Sequence, residues 1–125
     1  MTDQPTIYEL AGGDAPFREL VERFYARIER DPLLRPLFPE DLEPGKQGQF
    51  LFITQYFGGP PRYNQLRGHP RLRMRHAPFP IDREARDRWM ELMGHALDEA
   101  QLPPDITEFL REFFGAVATM MMNRA

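Results

Sequence analysis

Apolar residues recur at spacings of three and four in successive stretches of this 125-residue chain, and nowhere do they sustain strand-like alternation. That period selects amphipathic helices. From Asp14 onward, Phe17, Leu20, Val21, Phe24 and Ile28 fall on one helix face. Asp14 is placed to cap this helix and Pro16 suits its first turn. Asp31-Pro32 ends it, because a proline ring disfavours helix in the residue before it. The proline-rich stretch 32–44 reads as one tight turn of helix and a loop. A second long helix is expected from about Pro44 to Phe57, weakened early by Gly45 and Gly48 and stopped by Gly58-Gly59. A third opens at Asp82 and runs to about Leu102, with Ala85, Trp89, Leu92, Met93, Ala96, Leu97 and Ala100 inward. A fourth spans about Asp105 to Asn123, with Asp105 and Glu108 at capping-box spacing. Its expected face is Ile106, Phe109, Leu110, Phe113, Val117, Met120 and Met121. The length is that of one domain, residues 1–125. The expected fold class is all-α, with four long helices and an irregular middle.

That middle is informative. Residues 59–80 contain Pro60, Pro61, Pro70, Pro78 and Pro80, which forbid a long helix. A turn or two after Pro70, carrying Arg71 to His76, is still expected. Leu72, Met74 and Phe79 argue for order. An ordered stretch with few backbone hydrogen bonds of its own needs something else to pack against.

Composition removes several chemistries. The chain has no cysteine and no serine, which excludes disulfides, thiol or serine nucleophiles and cysteine-held metals. It has no phosphate loop, HExxH or EF-hand pattern. No apolar run approaches the ~20 residues of a membrane span, and MTDQPTIYEL lacks the features of a secretion signal, so a cytoplasmic location is expected. A net charge of −3 argues against a chain that coats nucleic acid or membrane. The charge is nevertheless uneven. Between Pro44 and Ile81 there is no Asp or Glu, while Lys46, Arg62, Arg67, Arg71, Arg73 and Arg75 lie there. This span reads as an anion-binding surface for nucleic acid, as a site for a small carboxylate ligand, or as a solvated face.

Of the three histidines, His95 falls on a polar helix face near Glu91 and His69 sits in a Gly-His-Pro turn. His76 ends the brief helical piece, one turn after Leu72. It reads as a buried core histidine or as a ligand. Tyr25, Gln49 and Trp89 each put one polar group on an apolar helix face. If buried, each needs a partner, either in the core or on a polar ligand inside an apolar pocket.

TQYFGGPPRY at 54–63 and GHPRLRMRHAPFPI at 68–81, with Trp89 after them and FYARIERDPLLRPLFPEDL at 24–42 before, resemble the group II truncated haemoglobins. The likeness covers about Tyr8 to Asn123. It implies a truncated-globin two-over-two helical sandwich around haem b. By this resemblance, His76 is the proximal ligand of the haem iron. Tyr25, Gln49, Trp89 and Gly45 form the distal ligand pocket. Phe38, Phe52, Leu72 and Phe79 wall the haem, and Tyr63 and Arg75 reach its propionates. Phe38 stands where some family members carry tyrosine. Tyr25 and Trp89 would donate hydrogen bonds to a bound diatomic ligand, and Gln49 would donate directly or orient Tyr25. Gly45 would leave a short open route from solvent. The implied partners are O2, CO, NO or other small ligands and a reductant, with no nucleic acid and no membrane, in a monomer or homodimer. The implied chemistry is O2, NO or peroxide redox turnover, peroxidase-like or detoxifying, rather than bulk oxygen transport. The alternative from the residues alone is a nucleic-acid-binding or haem-free interaction module using the arginines of 62–75.

Overall fold

The computed structural model describes residues 4–68, 76 and 79–124. Among these the helices are α1 (Ile7–Ala11), α2 (Asp14–Arg30), a 3-10 turn (Arg35–Leu37), α3 (Glu43–Tyr56), α4 (Arg62–Arg67), α5 (Arg83–Glu99) and α6 (Pro104–Met121). No strand occurs among the described residues. α2 packs on α3, α5 packs on α6, and α2 crosses onto α5. This is the two-over-two arrangement. Its core is set by Phe17, Leu20, Phe24 and Ile28 of α2, Phe50 and Ile53 of α3, Met93 and Leu97 of α5, and Leu110 of α6.

Several local expectations change. α1 is too short to show a period, so its signal is chemical. Thr6 and Glu9 form a reciprocal capping box, and Gly12 at φ 111° ends the helix. Asp14 does not cap α2, which starts after Gly13 without a side-chain cap. The Asp14 carboxylate instead accepts from Tyr8 Oη (2.7 Å) and takes both ends of the Arg62 guanidinium (2.8 and 3.1 Å). Those bonds hold its carboxyl below the usual range, against the opposing push of partial burial. They tie α1 and α2 to α4, and so position Tyr63. Asp105 and Glu108 make no capping box either. Asp105 accepts from the adjacent Ile106 amide, and Glu108 pairs with Arg111. α5 ends at Glu99, short of Leu102, with Ala100 already extended ahead of the Pro103-Pro104 break. On α6 the buried stripe is Ile106, Leu110, Phe114, Ala118 and Met121, while Phe109 and Met120 are 49% and 51% exposed. α6 carries Phe109, Phe113 and Met120 beside its buried stripe, so its periodicity fits two overlapping stripes, and contact with α5 chooses between them.

The corner after α2 rests on Asp31, which is only 6% exposed. Its carboxylate accepts from the Leu33 and Leu34 amides (3.1 and 2.8 Å) and from Arg88 Nη1 of α5 (2.7 Å). Burial pushes this carboxyl up, but the Leu34 amide, Arg88 and the Leu33 amide together hold it below the usual range. Asp31→Ala is expected to cost about 1–2 kcal/mol, the usual worth of a capping carboxylate. Urea unfolding at neutral pH measures it. A group with a lowered folded pKa stabilises above its unfolded pKa and loses that contribution as pH falls. The wild type should therefore lose its advantage over Asp31→Ala on acidification below pH ~4. An unchanged difference down to pH ~2 would contradict the assignment.

Candidate haem-binding site

The four long helices, with His76, Phe79 and Ile81, line a cavity of about 330 Å3. That volume lies within the ~300–1,000 Å3 common for cofactor and ligand sites. Its walls are mostly apolar and aromatic, including Phe24, Leu34, Leu37, Phe38, Phe52, Ile53, Ile81, Phe114, Val117 and Met121.

The polar residues singled out from the sequence converge here. Tyr25 from α2, Gly45 and Gln49 from α3, Tyr63 from α4, His76, and Trp89 from α5 all line this one space. Phe38, Phe52 and Phe79 line it as well, although Phe79 remains 37% exposed. Leu72 and Arg75, with His69, Arg71, Arg73 and Met74, lie outside the described residues, as does most of the expected helical turn before His76. His76 itself is helical and half-buried. Its carbonyl accepts from the Phe79 amide (3.0 Å) and from Asn123 Nδ2 (3.3 Å). Asn123 Oδ1 accepts from the Ile81 amide (2.8 Å) and its Nδ2 donates to the Phe79 carbonyl (2.8 Å), so one side chain ties His76, Phe79 and Ile81 together. His95 is exposed on α5, away from the cavity wall.

Aromatic edges set the Tyr25 and Trp89 side chains. The Tyr25 ring stands nearly perpendicular to Phe24 and Phe38, with centroids 5.5 and 6.0 Å away. Trp89 packs edge-on to Phe24 at 5.0 Å and leans on Phe114 at 5.9 Å. The Tyr25 hydroxyl has no hydrogen-bond partner among the described residues, and burial pushes its pKa up to about 12. It is therefore a neutral O–H at any physiological pH. Gln49 Oε1 is buried without a partner, so Tyr25 does not donate to it and Gln49 does not orient Tyr25 here. A half-turn of the amide puts its NH2 in the same place. Gly45 is exposed and also lines the cavity, so the wall there carries no side chain. A Cβ at Gly45 would stand 3.1 Å from Tyr25 Oη, so residue 45 and the hydroxyl compete for space.

Haem fits this donor set. It is a flat apolar ring that would need apolar walls, an imidazole for its iron and cations for its carboxylates. The cavity offers these, together with polar groups lacking protein partners: the Tyr25 hydroxyl and the buried Gln49 oxygen. Arg67 and Arg86 line the cavity as well. Arg67 belongs to the acid-free span, but its place depends on how α4 lies across α3. Arg86 sits among charged residues of α5 and carries no local signal.

Comparison with known proteins agrees with this geometry. A family model described as bacterial-like globin matches residues 6–123. The group 2 truncated hemoglobin YjbI of Bacillus subtilis is 44% identical over 112 residues, covering 90% of this chain and 85% of the relative. The crystal structure of the hemoglobin from the thermophilic phototrophic bacterium Chloroflexus aurantiacus superposes with a TM-score of 0.94 at 58% identity, covering 97% of this chain and 100% of that one. The truncated oxygen-avid haemoglobin of Bacillus subtilis superposes with a TM-score of 0.90 at 43% identity, covering 95% of this chain and 100% of that one. None of these matches points to a nucleic-acid-binding module. The chain belongs to the bacterial-like globins, of the group 2 truncated haemoglobin type, whose cofactor is haem and whose ligands are small gaseous molecules.

Proposed function

We propose that this globin holds haem through His76, releases diatomic ligands slowly, and supports O2, NO or peroxide redox chemistry with a separate reductant rather than bulk oxygen transport. The observation that carries the reading is the convergence of one imidazole and three polar donors on one apolar cavity. Haem, when bound, would supply an iron centre able to take a nitrogen ligand from the protein and a small ligand. His76 offers that imidazole. Tyr25 O–H, Trp89 N–H and the Gln49 amide are the groups available to a ligand carrying partial negative charge. The apolar walls exclude water, which strengthens each such bond. Each is worth about 1–1.5 kcal/mol, or roughly tenfold in release rate. Donors aimed at negative charge also favour steps in which the ligand gains it, which is the ground for redox turnover. The similar Bacillus subtilis protein described as oxygen-avid supports slow release.

The test is an absorption spectrum of the purified protein as isolated, reduced, and with CO. A Soret band that shifts at each step is expected. A spectrum with only the aromatic band, unchanged by added haemin, would end this reading. Trp89→Phe is expected to raise the O2 dissociation rate about three- to tenfold in stopped-flow, the worth of one neutral hydrogen bond. An unchanged rate would mean that the indole N–H does not reach the ligand.

A further inference from the structure

We propose that Tyr56 is a redox-active residue of this globin, the surface point at which a phenolic donor too large for the cavity delivers single electrons inward through Phe52 and Phe113. The inference deepens the peroxide reading above and rests on it.

Tyr56 is the last residue of α3 and is 60% exposed. Its ring centre lies 4.7 Å from that of Phe113 on α6 and 5.9 Å from that of Phe52 on α3. Phe52 and Phe113 both line the cavity, and Tyr56 does not. One layer of aromatic ring therefore separates this exposed phenol from the haem space. Spacings of ~4.5–7 Å are those of aromatic rings in contact. Electron transfer weakens steeply as the gap between groups grows, so rings in contact are the favoured route to the surface. Haem, when bound, would supply the one-electron chemistry at the inner end.

The other tyrosines do not combine such contact with exposure. Tyr25 and Tyr63 line the cavity but are buried. An oxidised phenol is a strong acid, so its proton must leave, and burial withholds the water that would take it. Burial already pushes Tyr25 up to about 12. Tyr8 donates to Asp14 and packs on Phe17, which is not a wall residue. Trp89 packs on Phe24 and Phe114, themselves part of the wall. Tyr56 is also flanked by Phe57 at 5.1 Å, and Phe57 carries the exposed Phe109 on its far side at 6.1 Å. Exposed aromatic faces offer stacking to an aromatic donor.

Hydrogen peroxide is the oxidant. Its O–O bond breaks, and two electrons and two protons convert it to two waters. Each electron leaves Tyr56, whose phenol proton passes to water, so that a neutral tyrosyl radical remains. A phenol then returns one electron and one proton to Tyr56 and becomes a phenoxyl radical. Two phenols are oxidised per peroxide. Without a phenol, tyrosyl radicals on two molecules couple through a ring carbon–carbon bond to dityrosine.

The test treats haem-loaded wild type, Tyr56→Phe and Tyr56→Trp with hydrogen peroxide. Freeze-quench electron paramagnetic resonance reads the radical, and peptide mapping reads the dityrosine link. Absorbance follows oxidation of guaiacol, a phenol, and of nitrite, which is small enough to enter the cavity. Tyr56→Phe deletes one oxygen and keeps the ring against Phe52 and Phe113, so the fold survives it. Wild type should give a tyrosyl signal and dimers linked through residue 56. Tyr56→Phe should lose those dimers and oxidise guaiacol several-fold more slowly, with nitrite oxidation unchanged. Tyr56→Trp should restore guaiacol oxidation, with an indole radical in place of the tyrosyl one. Dimers linked only through other residues, an unchanged guaiacol rate, or an equal slowing of nitrite would overturn the role of Tyr56 and leave the peroxide reading standing. A wild type with a normal Soret band but no radical and no guaiacol oxidation would overturn the peroxide reading with it. Failure of wild type to take up haemin would overturn the haem reading itself.

Discussion

His76→Ala is expected to abolish protein ligation of haem iron and to weaken haem retention at least ~100-fold, because outer-shell partners of a metal ligand alone are commonly worth ~10–100-fold. Among the described residues His76 is the one imidazole on the cavity wall. Neutral imidazole is the nitrogen donor best suited to the iron, and no nearby described side chain substitutes for it. The loss should be chemical rather than structural. His76 is half-buried outside the main core, and its carbonyl, which accepts from the Phe79 amide and Asn123 Nδ2, is kept in the variant. Far-UV circular dichroism of the apoprotein should stay close to wild type. Added free imidazole should restore the ferrous Soret spectrum. If His76→Ala keeps an unchanged ferrous spectrum without imidazole, the ligand is another residue.

Tyr25→Phe is expected to accelerate O2 release about tenfold and to shift the stretching frequency of bound CO. The substitution deletes one oxygen and keeps the ring that Phe24 and Phe38 hold at right angles. The lost hydroxyl has no protein partner among the described residues, so stability should change by less than ~0.5 kcal/mol. A large rate effect with little stability effect separates a ligand-binding role from a core role. The pH dependence is a second check. Burial raises this hydroxyl to about 12, so it stays a donor throughout the neutral and mildly alkaline range. O2 release from wild type should therefore be flat up to pH ~10 as far as Tyr25 is concerned. The raised pKa also means that stability present below the unfolded tyrosine value of ~10 is lost as pH rises toward the folded one. The phenylalanine variant should lack that alkaline loss. Identical CO spectra and release rates in the two proteins would remove Tyr25 from the distal network.

The helices were readable wherever periodicity had room to repeat. α2 runs from Asp14 to Arg30, and its buried face includes Phe17, Leu20, Val21, Phe24 and Ile28, the residues that the spacing selects. Its end at Asp31-Pro32 follows from the proline ring, a local steric fact. α1 escaped because five residues cannot show a period. The α6 face was misjudged at Phe109 and Met120 because the helix has more apolar residues than one buried stripe holds, which leaves the choice of stripe to its neighbour. Asp14 shows the same limit for polar groups. Spacing made it a cap, but Tyr8 and Arg62 lie close enough to take its carboxylate.

By itself the sequence determined the all-helical class, the breaks at proline and glycine, and, through the 54–63 and 68–81 motifs, the globin family. These are matters of local sterics, hydrogen bonding and pattern, which neighbouring residues encode. Only the tertiary structure decided that Gln49 Oε1 is left unpartnered, that Gly45 borders the Tyr25 hydroxyl, and that Arg67 fills the space above Gly48. Each of these depends on how separate helices pack across long stretches of chain. No local period records which side chain from one helix will meet the missing side chain of another.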